Sequence, residues 1–510
     1  MSRYEKSIVA AGHEEVCRAA GTILAEGGNA FDAVVAAGFA SAVVEPALTS
    51  LGGGGLMVGY NAQKGQELYY DFFVDTPGRG GIRNNEPPDF FPVTVNFSGT
   101  SQDFNVGLGS VAVPGTLKGL LHIHNKLGRI GLKEVIRPAR ELAADHVLNQ
   151  QQAHFLRLLY PIMTISEVGK KLYEPGGSYL QSGDRLCNPE LAGYLDQIAI
   201  EGDESFYRGE IASAIVSEMA GQSGLLTMED MAGYRVHEAK PLRIPYRGYT
   251  FLTPSEPSMG GTLIGLSLSL LAASGDIPKD SWGSSDHLLR TVRLMQDVER
   301  KRALGITNPG ALRKYLANRT VGEQTADGRL FSRGTTHVSI ADCEGNCASM
   351  TCSNGEGSGY FAPGTGIMLN NMMGEDDLHP EGFHSSPPGQ RVGSMMSPSL
   401  LLRDDKVQLV IGSGGSKRIR TAISQVISQV VDFGRDLDEA VAAPRLYWDE
   451  DRLQVEPGFP RSVTDILQER VKTVIWEQKD VYFGGVHAVI PGESGAGDPR
   501  RGGTVVEISQ

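Results

Sequence analysis

The hydrophobic positions fall into two textures. Residues 14–45 carry dense apolar runs broken at 27-GGN-29, which predicts two helices with Asn29 capping the second. The run 33-AVVAAGFASAVV-44 is too short to span a bilayer and follows Asp32, so it reads as a buried helix. A glycine loop and two strand-like runs follow in 50-SLGGGGLMVGYNAQKGQELYYDFFVDTPG-78, the pattern of a β-hairpin. Residues 79–105, with Pro87, Pro88 and Pro92, read as loop. Residues 106–128 read strand, Pro-Gly break, helix, and 132–235 read as mostly helical. The segment 241–254 is strand-like, 259–275 is a glycine loop and buried helix, and 286–304 is another helix.

From residue 335 the texture changes to hairpins and glycine loops. In 335-TTHVSIAD-342, positions 335, 337, 339 and 341 share one face, and the more apolar Thr336, Val338 and Ile340 share the other. Residues 342–346 form a turn, and 347-CASMTCSN-354 returns antiparallel. The strand 406-KVQLVI-411 runs into 412-GSGGSKR-418, and a helix over 419–434 follows. No fixed-period repeat and no long Gly/Ser or Pro linker divides the chain, which predicts one large α+β or layered α/β body.

One chemistry calls for a threonine at the head of such a strand. If the Gly334–Thr335 bond is cut, Thr335 gains an α-amine beside its own hydroxyl, and that amine, with a pKa near neutrality, can take the hydroxyl proton. Gly334 has no Cβ to obstruct the attack of Thr335 Oγ on the preceding carbonyl. A plain β-branched strand start explains the same residues. The glycines of 412-GSGGSKR-418, between strand and helix, could hold an oxyanion or simply pack the helix on the sheet. They match neither G-x-x-x-x-G-K-[ST] nor G-x-G-x-x-G, so a nucleotide loop has little support.

The remaining composition narrows the class. The net charge of −13 over 510 residues argues against nucleic acid and against an anionic membrane surface as partners. The first residues show no secretory signal. Five cysteines, an odd and sparse set, argue against a disulfide framework and point to a reducing cytoplasm. Cys343, Cys347 and Cys352 cluster without a C-x-x-C pair and read as strand packing rather than metal ligands, and the histidines lack metal spacing, with His122 and His124 reading as helix surface. No G-x-S-x-G elbow is present. No metal and no cofactor are expected.

The chain also resembles a known family. 24-LAEGGNAFDAVVAAGFASAVVEP-46, 52-GGGG-55, 114-PGTLKGL-120, 206-FYRGEIASAI-215 and 225-LLTMEDMAGYRV-236 match it in order, followed by 334-GTTHVSIADCEGNCASMT-351, 364-GTGIMLNN-371, 395-MMSPSL-400, 412-GSGGSKRIRTAI-423 and 442-AAPRLYW-448. This is the γ-glutamyltranspeptidase family of N-terminal-nucleophile (Ntn) hydrolases. The resemblance implies an α+β fold, a four-layer αββα sandwich, made as a precursor and cut into a large subunit, 1–334, and a small one, 335–510. It implies Thr335 as nucleophile, Ser353 as the second hydroxyl of the family's T-x-T-x-N pattern with Thr351 on the same face, and Gly414 and Gly415 as backbone donors, with Ser416 as the neighbouring alternative. Substrate contacts would fall on Asn354, reached with a one-residue gap, on Ser394, and on an acidic group among Glu375, Asp376 and Asp377.

The departures bear on substrate. Phe73 stands in 71-DFFVDTP-77 where the family has the arginine that holds a substrate carboxylate, with Arg79 or Arg83 as candidate replacements. Met372 stands in place of the family's Gln or Glu, and 393-GS-394 keeps one serine of two. The expected function is amide hydrolysis or acyl transfer through an acyl-enzyme on Thr335, on a γ-glutamyl or related small amide such as an oxamate-like or glutaryl-type one. An inactive binding homologue is the other reading. The processed unit could pair as a homodimer.

Overall fold

The computed structural model describes residues 4–81, 87–97, 100–318, 334–379 and 382–509. Two antiparallel sheets form the centre. The first contains β1 (Lys6–Ala11), β2 (Gly54–Asn61), β3 (Gln66–Phe72) and β4 (His237–Ala239). It also holds β7 (Thr336–Ala341), β8 (Cys347–Ser353) and β13 (Thr504–Ser509), in the order β13-β1-β7-β8-β2-β3-β4. The second contains β5 (Leu242–Tyr246), β6 (Tyr249–Thr253), β9 (Ser399–Arg403), β10 (Lys406–Gly414), β11 (Gly485–Ile490) and β12 (Ser494–Ala496), in the order β12-β11-β10-β9-β6-β5.

Each sheet carries helices on its outer face. On the first lie α1 (Glu14–Ala25) and α2 (Ala30–Val44), with further helices at Thr116–Leu127 and Leu132–Ala144. On the second lie α3 (Met259–Ala273), α4 (Ser285–Ala303) and α5 (Arg418–Val431). The result is the expected αββα sandwich.

The local reasons are those read in the sequence. Asn29 caps α2 by accepting from the backbone N–H groups of Phe31 and Asp32, and Asp32 accepts in return from the Asn29 N–H. Every residue of α2 is buried, because the helix is covered by α1 and the neighbouring helices as well as by the sheet. Strand β1 pairs with both β13 and β7, so residues about 500 positions apart close one edge of the sheet. One expectation fails. Within 79–105, Phe91–Phe97 and Thr100–Val106 pair as a hairpin, with Pro92 opposite Asn105. This two-stranded ribbon stands apart from the main sheets, where a proline is tolerated.

Candidate active site

The β7–β8 hairpin builds the site. Its register pairs Thr336 with Cys352 and His337 with Thr351, which brings Thr335 and Ser353 together at the open end. Val338, Ile340, Met350 and Cys352 turn to the helix layer. His337, Ser339, Ser349 and Thr351 turn inward, where apolar packing would be ordinary, and each polar group has a partner there. His337 Nδ1 lies 2.8 Å from Thr351 Oγ1, and Nε2 lies 3.0 Å from Ser339 Oγ. Ser339 Oγ donates to His487 O, and Ser349 Oγ donates to Ile411 O, so the seam ties β7 and β8 to the second sheet. Burial holds the His337 imidazolium far below its usual range, leaving a neutral ring. A Cβ on Gly412 would overlap that ring, so strand β10 approaches His337 only as glycine.

The Gly334–Thr335 peptide is clamped from several directions. Ser353 Oγ donates a short hydrogen bond to Gly334 O and accepts from the Gly355 N–H at 3.1 Å. The Gly334 N–H donates to Glu356 Oε1 at 3.3 Å. A Cβ on Gly334 would overlap Gly355 O, so no side chain fits before the threonine. Beyond the bond, Arg501 Nη1 donates to Thr335 O at 2.9 Å, and Thr336 Oγ1 donates to Glu45 Oε2 at 2.8 Å. Thr335 itself is 5 % exposed.

Two buried charges flank this peptide. Burial pushes the Glu45 carboxyl up to about 7, against the pull of the Thr336 hydroxyl and of Arg501. Burial pushes the Arg501 guanidinium down to about 10, opposed by Asp498 and Glu45. Behind them Asp498 accepts from Arg445 Nη2 at 2.6 Å and from Arg500 Nη1 at 3.1 Å, and Glu456 pairs with Arg500.

Most of the expected residues converge. Gly414 ends β10 where a Cβ would overlap Thr335 O, and Gly415 follows at φ 121°, a conformation that favours glycine. Ser416 is also left-handed, at φ 52°. Thr351 is engaged by His337 rather than turned toward the peptide. Asn354 follows Ser353, with its Nδ2 3.4 Å from Leu369 O. Glu375 is buried, and its Oε1 would lie 2.6 Å from a Cβ on Gly355, beside Gly334.

Asp376, by contrast, is exposed, Glu375 is turned inward, and the side chain of Asp377 lies outside what the structure describes. Ser394 is buried, but its contacts are with Ser258, Met259 and Met396, not with the Gly334–Thr335 peptide. It lies on the segment that passes Phe73, since Arg391 bridges Asp75 and the Val392 N–H donates to Val74 O.

Among the described residues, the arginines near Phe73 in sequence or packing are already partnered. Phe73 is buried in the core between the sheets. Arg79 donates to Gly389 O and lies 3.5 Å from Asp75. Arg83 lies outside the described residues. A buried arginine that the sequence did not single out, Arg391, binds Asp71 at 2.6 Å and Asp75 at 2.7 Å, so its charge is already matched. Glu45, Glu356 and Arg501 were likewise unmarked. Their signal was faint: charges inside glycine- or proline-rich segments, 45-EP-46, 354-NGEG-357 and 495-GAGDPRRGG-503, where a charge next to close-packed backbone needs a specific partner.

The Gamma-glutamyltranspeptidase family pattern matches residues 17–508. The chain belongs to the γ-glutamyltranspeptidase family. It is 31% identical, over 94% of its length and 87% of the relative's, to a glutathione hydrolase proenzyme of Escherichia coli (strain K12). It is also 31% identical, over 99% of its length and 94% of the relative's, to an acylase ACY 1 proenzyme of Pseudomonas sp. (strain V22). Among solved structures, a cephalosporin acylase from Bacillus halodurans superposes with a TM-score of 0.82 at 24% identity, covering 99% of this chain and 96% of that one. This γ-glutamyltranspeptidase-family protein is therefore an enzyme of the hydrolase or transferase kind on an Ntn-hydrolase fold.

Proposed function

We propose that this protein is an autoprocessed amidohydrolase or acyltransferase whose nucleophile is Thr335. The observation that carries the reading is the way Thr335 is held on both sides: Ser353 bonds the Gly334 carbonyl of the peptide before it, and Arg501 and Gly414 meet its own carbonyl.

In the first reaction Thr335 Oγ adds to the Gly334 carbonyl carbon while Ser353 Oγ–H holds the carbonyl oxygen. The C–N bond breaks, the nitrogen takes up the proton that Oγ loses, and the acyl group moves to Oγ. Water then hydrolyses the ester, leaving a Gly334 carboxylate and a free Thr335 amine. In turnover that amine takes the Oγ proton, Oγ attacks the substrate carbonyl, and the backbone N–H groups of Gly414 and Gly415 meet the developing oxyanion. The leaving amine departs with the proton, and water or a second amine releases the acyl group.

Cleavage would leave one body. Strands β7 and β8 of the 335–510 part sit between β1 and β2 of the 1–334 part, so the subunits remain hydrogen-bonded through the sheet. Glu375, buried beside Gly355, supports recognition of a substrate amine. For the acyl group, Phe73 in the place of the carboxylate-binding arginine favours a small amide other than γ-glutamyl, such as an oxamate-like or glutaryl-type one. No disulfide joins the five cysteines, which supports a reducing cytoplasm as its location.

The test is a denaturing gel with N-terminal sequencing. The native protein should give two bands, the smaller beginning Thr-Thr-His-Val, and Thr335→Ala should stay full-length and inactive. Processing and turnover in Thr335→Ala would end the assignment.

A further inference from the structure

A cleft remote from Thr335 lies between α4 and α5, over α3 and beside Trp448 and Phe459. It is a narrow slot: the centres of water-sized groups can range over about 50 Å3 of it, and the rest opens to solvent. The walls are mostly apolar: Leu268 and Leu271 from α3, Leu294 and Met295 from α4, and the rings of Trp282 and Phe459. None of these residues belongs to the Thr335 site.

The two helices run antiparallel along it. His287, near the start of α4, packs its ring 4.8 Å from Phe433, just past the end of α5. Glu299, near the end of α4, pairs with Arg420 at the start of α5. These two closures stand about 18 Å apart, twelve residues at the helical rise. The same pairing brings Arg290 and Gln429 to one level of the cleft, three and four residues in from the His287–Phe433 end.

At that level the chemistry is incomplete. Arg290 Nη1 and Gln429 Oε1 are both buried, and neither has a hydrogen-bond partner among the described residues. Gln429 is 4 % exposed. A buried N–H of a cation left unpaired in an apolar wall is costly, which points to a group that comes from outside the chain. Glu299 is not free to serve Arg290, since it holds both Arg420 and Arg302. His287 accepts from the Gly283 N–H, and burial with the nearby Arg290 charge pushes its imidazolium down to about 4, so the ring is neutral. Arg435, another cation near the rim, lies over the Trp282 ring and pairs with Glu439. A third unpartnered buried atom, Arg420 Nη1, closes the far end with one spare donor.

We propose that this cleft binds an amphipathic monoanion, a carboxylate on an unbranched apolar tail. The carboxylate sits beside Arg290. A half-turn of the Gln429 amide presents its N–H2 group to the second carboxylate oxygen. The tail runs between α4 and α5 toward Arg420, against the leucines and Trp282.

Octanoate is the probe, added to the purified protein. Two of the three tryptophans, Trp282 and Trp448, line the cleft, so intrinsic fluorescence reads its occupancy. Octanoate should give a saturable change. Hexanoate, two methylenes shorter, should bind about tenfold more weakly, and octanol, with no charge, at least about tenfold more weakly. Arg290→Met should weaken octanoate by about tenfold or more, with Arg290→Lys intermediate. Thr291→Trp, which fills the cleft and leaves the charge, should abolish the signal and keeps the test open should Arg290→Met fail to fold. No saturable change, octanol binding as tightly as octanoate, or octanoate affinity unaltered in folded Arg290→Met or Thr291→Trp would each overturn the proposal.

Discussion

Thr336 Oγ1 donates a 2.8 Å hydrogen bond to Glu45 Oε2, pinning the residue after Thr335 to the C-terminal end of α2. The partner is a carboxylate in an unfavourable place, fully buried and at the negative end of a helix. Its pKa is raised from 4.5 to about 7. Between those values the native state binds more protons than the unfolded one, so this group's contribution to stability is complete below about 4.5 and is lost as pH rises through about 7. Glu45→Gln removes that loss. Its unfolding midpoint should change less between pH 5 and pH 8 than that of the native protein, with a relative gain of about 1–3 kcal/mol at pH 8. Parallel pH profiles for the two proteins would show that Glu45 does not titrate in this window.

Gly414 lies against Thr335 O with no room for a methyl group. Gly414→Ala must therefore move the end of β10 away from the threonine. The expected result is a folded protein with activity reduced about 100-fold or more, the scale of losing one oxyanion donor. Circular dichroism checks the fold and amide turnover checks the rest. An active Gly414→Ala would place the oxyanion donors elsewhere.

Arg501 offers a separate test of how Thr335 is held. Its guanidinium reaches the Thr335 carbonyl, not the hydroxyl, so its effect is positional. Arg501→Met should lower turnover about 10- to 100-fold, from the loss of one charge-assisted hydrogen bond to the nucleophile's backbone. Arg501→Lys should recover part of it. Equal losses in both variants would indicate general destabilisation rather than a lost donor.

The sequence carried the local parts of this picture well. The Asn29 cap, the 335–354 hairpin and the α3 glycine-to-helix transition depend on neighbours within a few residues, and periodicity shows them. The 91–106 ribbon was missed because Pro92, Thr94, Asn96 and Gln102 make its strands read as loop, and only their mutual pairing makes them strands. Arg501 and Glu45 were missed for another reason. They reach the threonine segment from 166 and 291 positions away, a distance no local pattern spans. Family likeness offered three acidic residues for one role, and burial separates Glu375 from the exposed Asp376.

Substrate preference should follow from the cations around Phe73. Arg391 is matched by Asp71 and Asp75, and Arg79 leans on Asp75 and Gly389. If the cation is missing beyond the described residues as it is among them, recognition of a γ-glutamyl group loses a contact of roughly 1.5–3 kcal/mol, or about 10- to 100-fold in kcat/KM. A γ-glutamyl anilide should therefore be turned over more slowly than an anilide of a small acyl group lacking the α-carboxylate. Robust transfer from a γ-glutamyl donor to Gly-Gly would show that another cation reaches the substrate.

The ion cluster behind Arg501 should govern whether the site exists at all. Asp498 accepts from Arg445, from Arg500 and from the backbone N–H groups of Val486 and Arg500, and every member is buried. The paired arginines hold its carboxyl far below the usual range despite burial. Asp498→Asn keeps the shape but leaves two buried guanidinium groups with only Glu456 to balance them, which should cost about 3–5 kcal/mol. Asp498 also anchors strand β11 through Val486, and β11 pairs with the β10 end that carries Gly414. The variant should therefore unfold at lower denaturant and also process its precursor more slowly than its stability loss alone predicts. A destabilised Asp498→Asn that cuts at the native rate would separate the cluster from the geometry at Thr335.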